Sequence, residues 1–208
     1  MQETTQIRRL NIGCGHSLLP ASEGWVNLDC SDKVNADVVF DLGEIESGYL
    51  LPYQDETFDF MLMSHVLEHL PRPLPIMEEL WRVAKPGCEL VVRVPYGSSD
   101  IAFEDPTHYR QYFLNSFSYF GQPAYARADY GYRGDWQEVQ RVLVIDERFP
   151  REAIPETPAE FMQMVNTHRN VIEEFIVVLK AVPLRNPADG GYSFKVPTRF
   201  GYREDIGG

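Results

Sequence analysis

The fold is decided near the start of the chain, by the stretch Ile7-Arg8-Arg9-Leu10-Asn11-Ile12-Gly13-Cys14-Gly15. This stretch predicts a short apolar strand followed by a tight turn with two glycines. The next apolar run begins at Trp25 and ends in Asp29, fourteen residues after Gly15. Glycine lets a ligand approach the backbone closely, and a carboxylate at the end of the following strand can accept hydrogen bonds from a ribose diol. The layout is typical of a nucleotide-ribose site at the edge of a parallel sheet.

Length and charge limit the expected partners. The chain has 208 residues, the size of one domain, and its 19 Lys and Arg against 31 Asp and Glu give a formal net charge of −12. Nucleic acids and anionic membranes are therefore not expected as partners, because affinity for them comes largely from basic side chains. No apolar run approaches the roughly 20 residues that span a bilayer, and residues 1–5 lack the basic start of a signal peptide.

Because neither a membrane span nor a signal peptide is predicted, we expect a cytoplasmic protein. Cys14, Cys30 and Cys88 are widely spaced and odd in number. Neither a disulfide framework nor a four-cysteine zinc site is indicated, and reduced thiols are expected.

Apolar runs bounded by turn residues recur along the first half of the chain. They are Ile7–Ile12, Trp25–Leu28, Ala36–Phe40, Phe58–Met63 and Glu89–Val94. Continuous apolar strands of this kind suit a parallel sheet that is covered on both faces. The segment Pro73–Pro86 has apolar residues at helical spacing and predicts a crossover helix. The repeated order of strand, connection and strand predicts an α/β, Rossmann-like doubly wound fold.

The remaining segments complete the predicted architecture. Only a dozen residues join the first two strands, so we expect a shortened first crossover without a full helix. The aromatic-rich stretch 96–136 is expected to form an insertion or lid over the carboxyl end of the sheet. Two later strand candidates flank a helical stretch near Pro158–Asn170; they are Glu138–Glu147 and Ile172–Val182. We expect a mostly parallel seven-stranded sheet with an antiparallel edge strand, a single domain over 1–185 and a loosely ordered tail over 186–208.

Six segments in order resemble the class I S-adenosylmethionine-dependent methyltransferases, in particular their type 11 group. They are Asn11-Ile12-Gly13-Cys14-Gly15, Val26-Asn27-Leu28-Asp29, Val38-Val39-Phe40-Asp41-Leu42, Leu51-Pro52-Tyr53-Gln54-Asp55-Glu56-Thr57-Phe58-Asp59, Ser64-His65-Val66-Leu67-Glu68-His69-Leu70 and Arg82-Val83-Ala84-Lys85-Pro86-Gly87. The short first crossover and Asp105-Pro106-Thr107-His108 further resemble a branch linked to polysaccharide biosynthesis.

The resemblance implies S-adenosylmethionine as the cofactor and assigns residues to it. Gly13, Cys14 and Gly15 would present backbone groups to its amino-acid part, and Asp29 would bind the ribose hydroxyls. The remaining assigned residues are Asn11, where many members carry an acidic residue, Asp41 and Leu42 beside the adenine, and Ser64 and His65 at the mouth of the cleft. Two structural alternatives stay open: Asp41 could cap a short helix, and Ser64 and His65 could cap the turn that follows them.

The segment from Asp105 to Phe113 is the candidate for the acceptor, because it follows the fifth strand, where open α/β sheets place ligands. His108 could take a proton from an acceptor hydroxyl, and Arg110 could hold an acidic group. Tyr112 and its aromatic neighbours could line an acceptor pocket or pack in the core. These residues favour methyl transfer to a small-molecule or glycan-like acceptor, at oxygen.

Two other functions stay open. One is a non-catalytic or degenerate methyltransferase-fold module that binds the cofactor and partners. The other is a nicotinamide-dependent oxidoreductase, which is disfavoured because Ser17-Leu18 stand where the dinucleotide fingerprint has its third glycine.

Two groups of residues could in principle bind a metal ion. His65-Val66-Leu67-Glu68-His69 matches the H-x-x-E-H pattern of inverted zinc proteases. Pro71 and Pro73 end that segment within a turn, so the long helix of such a site is not expected. A divalent ion held by Glu104, Asp105 and His108 is a minor alternative. We therefore expect no metal.

Overall fold

A single mixed sheet forms the centre of the molecule. The structure is a computed structural model and describes residues 7–126, 130–185 and 196–206. The strands are β1 (Arg9–Ile12), β2 (Trp25–Asp29), β3 (Val38–Val39), β4 (Phe58–Ser64), β5 (Ala84–Pro95), β6 (Trp136–Ile145), β7 (Ile172–Ala181) and β8 (Thr198–Gly201). The helices are α1 (Pro73–Val83), α2 (Ile101–Glu104), α3 (Pro158–Thr167) and α4 (Arg203–Ile206). The strand order across the sheet is β3-β2-β1-β4-β5-β7-β6-β8.

The first five strands all pair in parallel. Their carboxyl ends therefore lie along one edge of the sheet, where open α/β folds bind ligands. Leu10, Met61 and Leu90 are fully buried in these strands, as expected for a sheet with both faces covered. The predicted Rossmann-like doubly wound fold is confirmed.

Helix α1 connects β4 to β5. Proline in its first turn is compatible with a helix start, because the first amide groups of a helix have no partner within it. Its buried face includes Ile76, Met77, Leu80 and Val83. Burying one such side chain contributes about 1.5–3 kcal/mol, so this apolar stripe holds the helix on the sheet.

The first crossover contains no full helix. Between β1 and β2 there is only a 3₁₀ turn, Ala21–Glu23, as the short connection predicts. The side chain of Asn27 holds this connection: its Oδ1 accepts from the backbone N–H of Leu19 at 2.9 Å, and its Nδ2 donates to the Leu19 carbonyl at 2.9 Å. A buried amide thus fixes this short loop.

The second half of the sheet departs from the prediction in two ways. Strand β7 pairs antiparallel with both β5 and β6, so the antiparallel strand lies inside the sheet instead of at its edge. The edge strand is β8, which pairs parallel with β6 and brings the count to eight instead of seven.

Strand β8 and helix α4 lie in the predicted tail. Within residues 196–206 of this tail, Phe200 stacks on Phe161 with ring centroids 4.3 Å apart, and the Tyr202 hydroxyl donates to the Phe149 carbonyl at 2.7 Å. Residues 186–195 and 207–208 lie outside the described residues.

The aromatic-rich stretch 96–136 contains α2 and two 3₁₀ turns, Ser116–Phe120 and Gln122–Ala126. Tyr112, Phe117 and Phe120 are buried in the core, whereas Phe113 and Tyr119 are exposed. The alternative of core packing therefore holds for part of this aromatic set. None of the helices in the described ranges is long and apolar enough to cross a membrane.

Candidate functional site

Gly13 and Gly15, the two glycines of the first turn, are needed for different structural reasons. Both have positive φ, 63° at Gly13 and 50° at Gly15, which favours residues without a Cβ. A Cβ on Gly13 would lie 2.2 Å from Cγ2 of Val66, so the segment after β4 needs a glycine there. A Cβ on Gly15 would meet no heavy atom within 4 Å. Gly15 therefore faces open space at the carboxyl end of β1.

Asp29 holds this turn from the end of β2. Its Oδ2 accepts from the backbone N–H of Gly15 at 2.8 Å, and its Oδ1 accepts from that of Ser31 at 2.9 Å. Each carboxylate oxygen has a further lone pair, so the side chain can still accept hydrogen bonds from a diol. Burial, followed by the negative charge of Asp29, raises the pKa of the Cys14 thiol. Cys14 is therefore a neutral thiol at the site.

Asn11 has a structural role beneath the turn. Its Nδ2 donates to the Ser17 carbonyl at 2.9 Å and to Oδ1 of Asn27 at 3.0 Å. Both amide hydrogens are thereby used, and Asn27 is itself anchored to Asp37 at 2.7 Å and 2.9 Å. The amide thus helps to shape the short crossover, where a carboxylate could not donate.

Asp41 and Leu42 follow β3. Oδ1 of Asp41 accepts from the backbone N–H of Gly43 at 2.8 Å and caps the 3₁₀ turn Leu42–Ser47. The capping alternative for Asp41 therefore describes its observed contact. The side chain of Leu42 is buried in the core, so only its main chain is available to a ligand.

Ser64 ends β4, and His65 follows it with a φ of 55°, an unusual conformation for a residue with a side chain. Nε2 of His65 lies 2.9 Å from Oε1 of Glu174, and Nδ1 lies 3.3 Å from Oε1 of Glu68. The carboxylates of Glu174 and then of Glu68 raise the pKa of the imidazole to about 9. His65 is therefore a cation at neutral pH, held at the carboxyl end of β4.

Glu174 is the centre of an ionic cluster on β7. It is 1% exposed and accepts two hydrogen bonds from Arg93, each 2.9 Å, and one from Arg203 at 3.0 Å. Burial would raise the pKa of its carboxyl, but the bonds from His65 and Arg93 hold it down at about 2. The sequence analysis missed this cluster. The one signal in the sequence was Arg93 within the apolar run at the end of β5, because Glu174 stands beside Glu173 at the start of β7, where a charge is ordinary.

The acceptor-side residues lie around the turn after β4. Nδ1 of His108 lies 3.3 Å from the Ala102 carbonyl. The buried Tyr112 donates its hydroxyl to the Leu67 carbonyl at 3.3 Å, and burial raises the pKa of that hydroxyl. Nη2 of Arg110 donates to the Pro71 carbonyl at 2.9 Å.

A cavity of about 1040 Å³ lies beside α1. Its lining includes Arg110, Tyr112, Tyr119, Tyr130 and Trp81. Of the described residues that line it, none belongs to the set assigned to the cofactor. The acceptor candidates Arg110 and Tyr112 line this cavity. Tyr112 is hydrogen-bonded to Leu67 in the 3₁₀ turn Leu67–His69, which directly follows Val66, the residue that lies against Gly13.

The structure also brings together three residues with metal-ligating side chains. One ligand atom each from Glu68, His69 and His108 lies within 4.8 Å of the others. Glu104 and Asp105, the other members of the minor ion-site alternative, do not belong to this group. The H-x-x-E-H segment forms a single 3₁₀ turn instead of the long helix of a zinc protease.

Comparison with known proteins agrees with this geometry. Residues 10–92 match a family described as a methyltransferase domain. An uncharacterized methyltransferase of Mycobacterium tuberculosis is 37% identical over 68 residues, which is 30% of this chain and 26% of that protein. The chain thus spans about a quarter of the length of the curated relatives it matches.

Two solved structures share the fold. A SAM-dependent methyltransferase from Archaeoglobus fulgidus has a TM-score of 0.57 and 17% identity, covering 85% of this chain and 86% of its own. One from Aquifex aeolicus has a TM-score of 0.50 and 17% identity, covering 85% of this chain and 83% of its own. The resemblance carried by the six segments is confirmed: residues 10–92 are similar to a methyltransferase domain, and the chain shares its fold with solved S-adenosylmethionine-dependent methyltransferases.

Proposed function

We propose that this chain binds S-adenosylmethionine in the open space before Gly15 and transfers its methyl group to a hydroxyl of a small-molecule or saccharide acceptor. The observation that carries the proposal is Asp29, which holds the glycine turn and retains lone pairs for the ribose hydroxyls. The positively charged imidazole of His65 would attract the carboxylate of the methionine part of the cofactor.

Methyl transfer from a sulfonium needs the acceptor oxygen, the methyl carbon and the sulfur in line. Positioning and the exclusion of water supply much of the rate. His108 would accept the acceptor's proton: a carbonyl can only accept, so the contact with Ala102 fixes the proton on Nδ1 and leaves a lone pair on Nε2. The group is thereby prepared to act as a base.

The cavity beside α1 supports a saccharide-like acceptor. Tyr119 and Tyr130 line it and are 59% and 73% exposed, which suits stacking on a sugar ring. Arg110 would add a positive charge for an acidic substituent. We place the protein in the cytoplasm on the strength of its three free cysteines.

Asn11 and the short first crossover are the two features of the sequence that keep a non-catalytic module open as an alternative. Asn11 and the short crossover form one hydrogen-bonded unit with Asn27, so neither is a sign of a decayed site. Titration calorimetry with S-adenosylhomocysteine and a thermal-shift comparison with NADH test the cofactor. Saturable binding of the former alone supports the proposal, and preferential stabilisation by NADH would overturn it.

The transfer itself needs a separate experiment. Extracts supplied with S-adenosylmethionine carrying a labelled methyl group should yield a labelled small molecule with the purified protein. The His108→Ala variant should bind S-adenosylhomocysteine normally and produce little label. Tight cofactor binding without any labelled product would favour the non-catalytic module instead.

Substitutions of Gly13 and Gly15 should affect the stability of the fold and the binding of the cofactor differently. We expect Gly13→Ala to lower the free energy of unfolding by about 2 kcal/mol, because its Cβ overlaps Val66 at a positive φ. Gly15→Ala should lower it by only about 1 kcal/mol, since only the φ is unfavourable. Urea unfolding measures both values.

Binding of S-adenosylhomocysteine should be affected more by Gly15→Ala than by Gly13→Ala. In Gly15→Ala the new methyl group occupies the proposed ligand space, and we expect S-adenosylhomocysteine to bind about tenfold more weakly, or 1.4 kcal/mol. The control is Gly48→Ala, at another positive-φ glycine where an added Cβ would meet no heavy atom within 4 Å. Equal affinity in Gly15→Ala and Gly48→Ala would contradict the placement of the cofactor.

A further inference from the structure

Glu68 lies in the 3₁₀ turn after β4 and has no role in the proposed methyl transfer. This residue is 1% exposed, and no hydrogen bond reaches either carboxylate oxygen from the part of the chain that the structure describes. The nearest cationic group is Nδ1 of His65, 3.3 Å from Oε1. A buried carboxylate whose oxygens lack hydrogen bonds is costly, and a bound ion is one of the few explanations for it.

The two neighbouring imidazoles are oriented as metal ligands usually are. Nδ1 of His69 lies 2.8 Å from Oγ1 of Thr107, and that hydroxyl donates its own proton to Oδ1 of Asp105 at 2.6 Å. The hydroxyl must therefore accept from His69. Nδ1 of His108 likewise donates to the Ala102 carbonyl. Both rings are fixed with the proton on Nδ1 and a lone pair on Nε2, the arrangement in which an outer hydrogen bond sets the tautomer of a ligating histidine.

The rings and the carboxylate are close enough to share an ion. Ligand atoms of Glu68, His69 and His108 lie within 4.8 Å of one another, and the ring centroids of the two histidines are 4.7 Å apart. Bonds of about 2.0–2.2 Å to each atom would require the side chains to close by roughly 1 Å. Rotation about side-chain torsions on the exposed loop that carries His108 can supply such a movement.

We propose that Glu68, His69 and His108 bind one divalent transition-metal ion of the Zn²⁺ type. Two imidazole nitrogens and one carboxylate oxygen suit such ions, whereas Mg²⁺ and Ca²⁺ prefer oxygen ligands alone. Three protein ligands leave a coordination position open for water or an acceptor oxygen. This proposal differs from the expectation, drawn from the sequence, that the chain holds no metal.

The ion and the base compete for one atom. A cation bound to Nε2 of His108 occupies the lone pair that the proposed transfer assigns to proton acceptance, so the two roles of His108 exclude each other. Metal binding does not depend on methyl transfer, and it is tested without the cofactor.

The test titrates the full chain, freed of metal by a chelator, with Zn²⁺ in a calorimeter and with Co²⁺ by visible absorption. We expect one equivalent of each to bind, with intensified Co²⁺ bands of a nitrogen and oxygen site and no measurable Mg²⁺ binding. Glu68→Gln, His69→Gln and His108→Gln should each weaken Zn²⁺ binding at least about 100-fold, since loss of an outer partner alone costs 10- to 100-fold.

Two further variants make the test specific. Thr107→Val removes an exposed hydroxyl that orients His69, and it should fold normally while weakening Zn²⁺ binding about tenfold. His168→Gln removes an exposed histidine at the end of α3 and should change nothing. Absence of stoichiometric Zn²⁺ binding, or equal binding by the wild type, Thr107→Val and His108→Gln, would overturn the proposal.

Discussion

Replacing Asp29 by asparagine is expected to weaken S-adenosylhomocysteine binding about 100-fold. The carboxylate accepts from Gly15 and Ser31 and, in the proposed complex, from two ribose hydroxyls. Asparagine has one acceptor oxygen and would turn an N–H group toward at least one of these donors. Hydrogen bonds to a charged group contribute about 1.5–3 kcal/mol each, so the loss of one or two accounts for a hundredfold change. Calorimetry at neutral pH measures it.

A matched control separates this contact from charge in general. Asp32 lies three residues further on and is exposed, so Asp32→Asn removes the same unit of negative charge near the site. We expect its affinity for S-adenosylhomocysteine to stay within about twofold of the wild type, because exposed charges are well screened. If the two variants lose affinity equally, Asp29 does not contact the ribose and the assignment of the site is wrong.

The parallel half of the fold could be predicted because its signals are local. Each apolar run of four or more residues, bounded by turn residues, corresponds to a strand, and the spacing of Leu80 and its neighbours predicts α1. The shortened crossover follows from the number of residues between Gly13 and Gly24. The sequence did not show why so short a loop is stable. The structure shows that the buried amide of Asn27 holds it.

The carboxyl-terminal half was harder because its pairing is long-range. Strand β8 has four residues, and Arg199 and Gly201 interrupt any apolar pattern. Only the partner strand β6 and the stacking of Phe200 on Phe161 make this segment a strand. The position of β7 between β5 and β6 likewise depends on contacts that no local pattern records.

The candidate site shows the same division. The glycine turn and Asp29 follow from motif spacing, because steric limits and strand order fix them. Glu174 was not found, since a charge at the start of a strand is ordinary in sequence and becomes informative only when Arg93 and His65 surround it. Glu68 was seen as part of a motif, but the sequence could not show that its carboxylate is buried without a hydrogen bond from any described residue.

The largest loss of stability is expected from Glu174→Gln, about 3 kcal/mol at pH 7. Removing one partner of a buried ion pair leaves the other charges uncompensated, which costs about 3–5 kcal/mol, and the partial exposure of Arg93 and Arg203 reduces this figure. Glutamine keeps the shape of the side chain, so packing is not the cause. Urea unfolding followed by tryptophan fluorescence measures the difference.

The neighbouring residue and the pH dependence make this prediction specific. Glu173 is partly exposed, and its contact with Arg203 is 3.3 Å, so Glu173→Gln should lower the free energy of unfolding by less than about 1 kcal/mol.

The folded-state pKa of Glu174 is about 2, below its usual value near 4.3. Its stabilisation is therefore complete above pH 5 and is lost as the pH falls toward 2, so the gap between wild type and Glu174→Gln should narrow below pH 4. A gap that stays constant from pH 7 to pH 3 would mean that the variant acts through packing and that the carboxylate of Glu174 does not hold the cluster together.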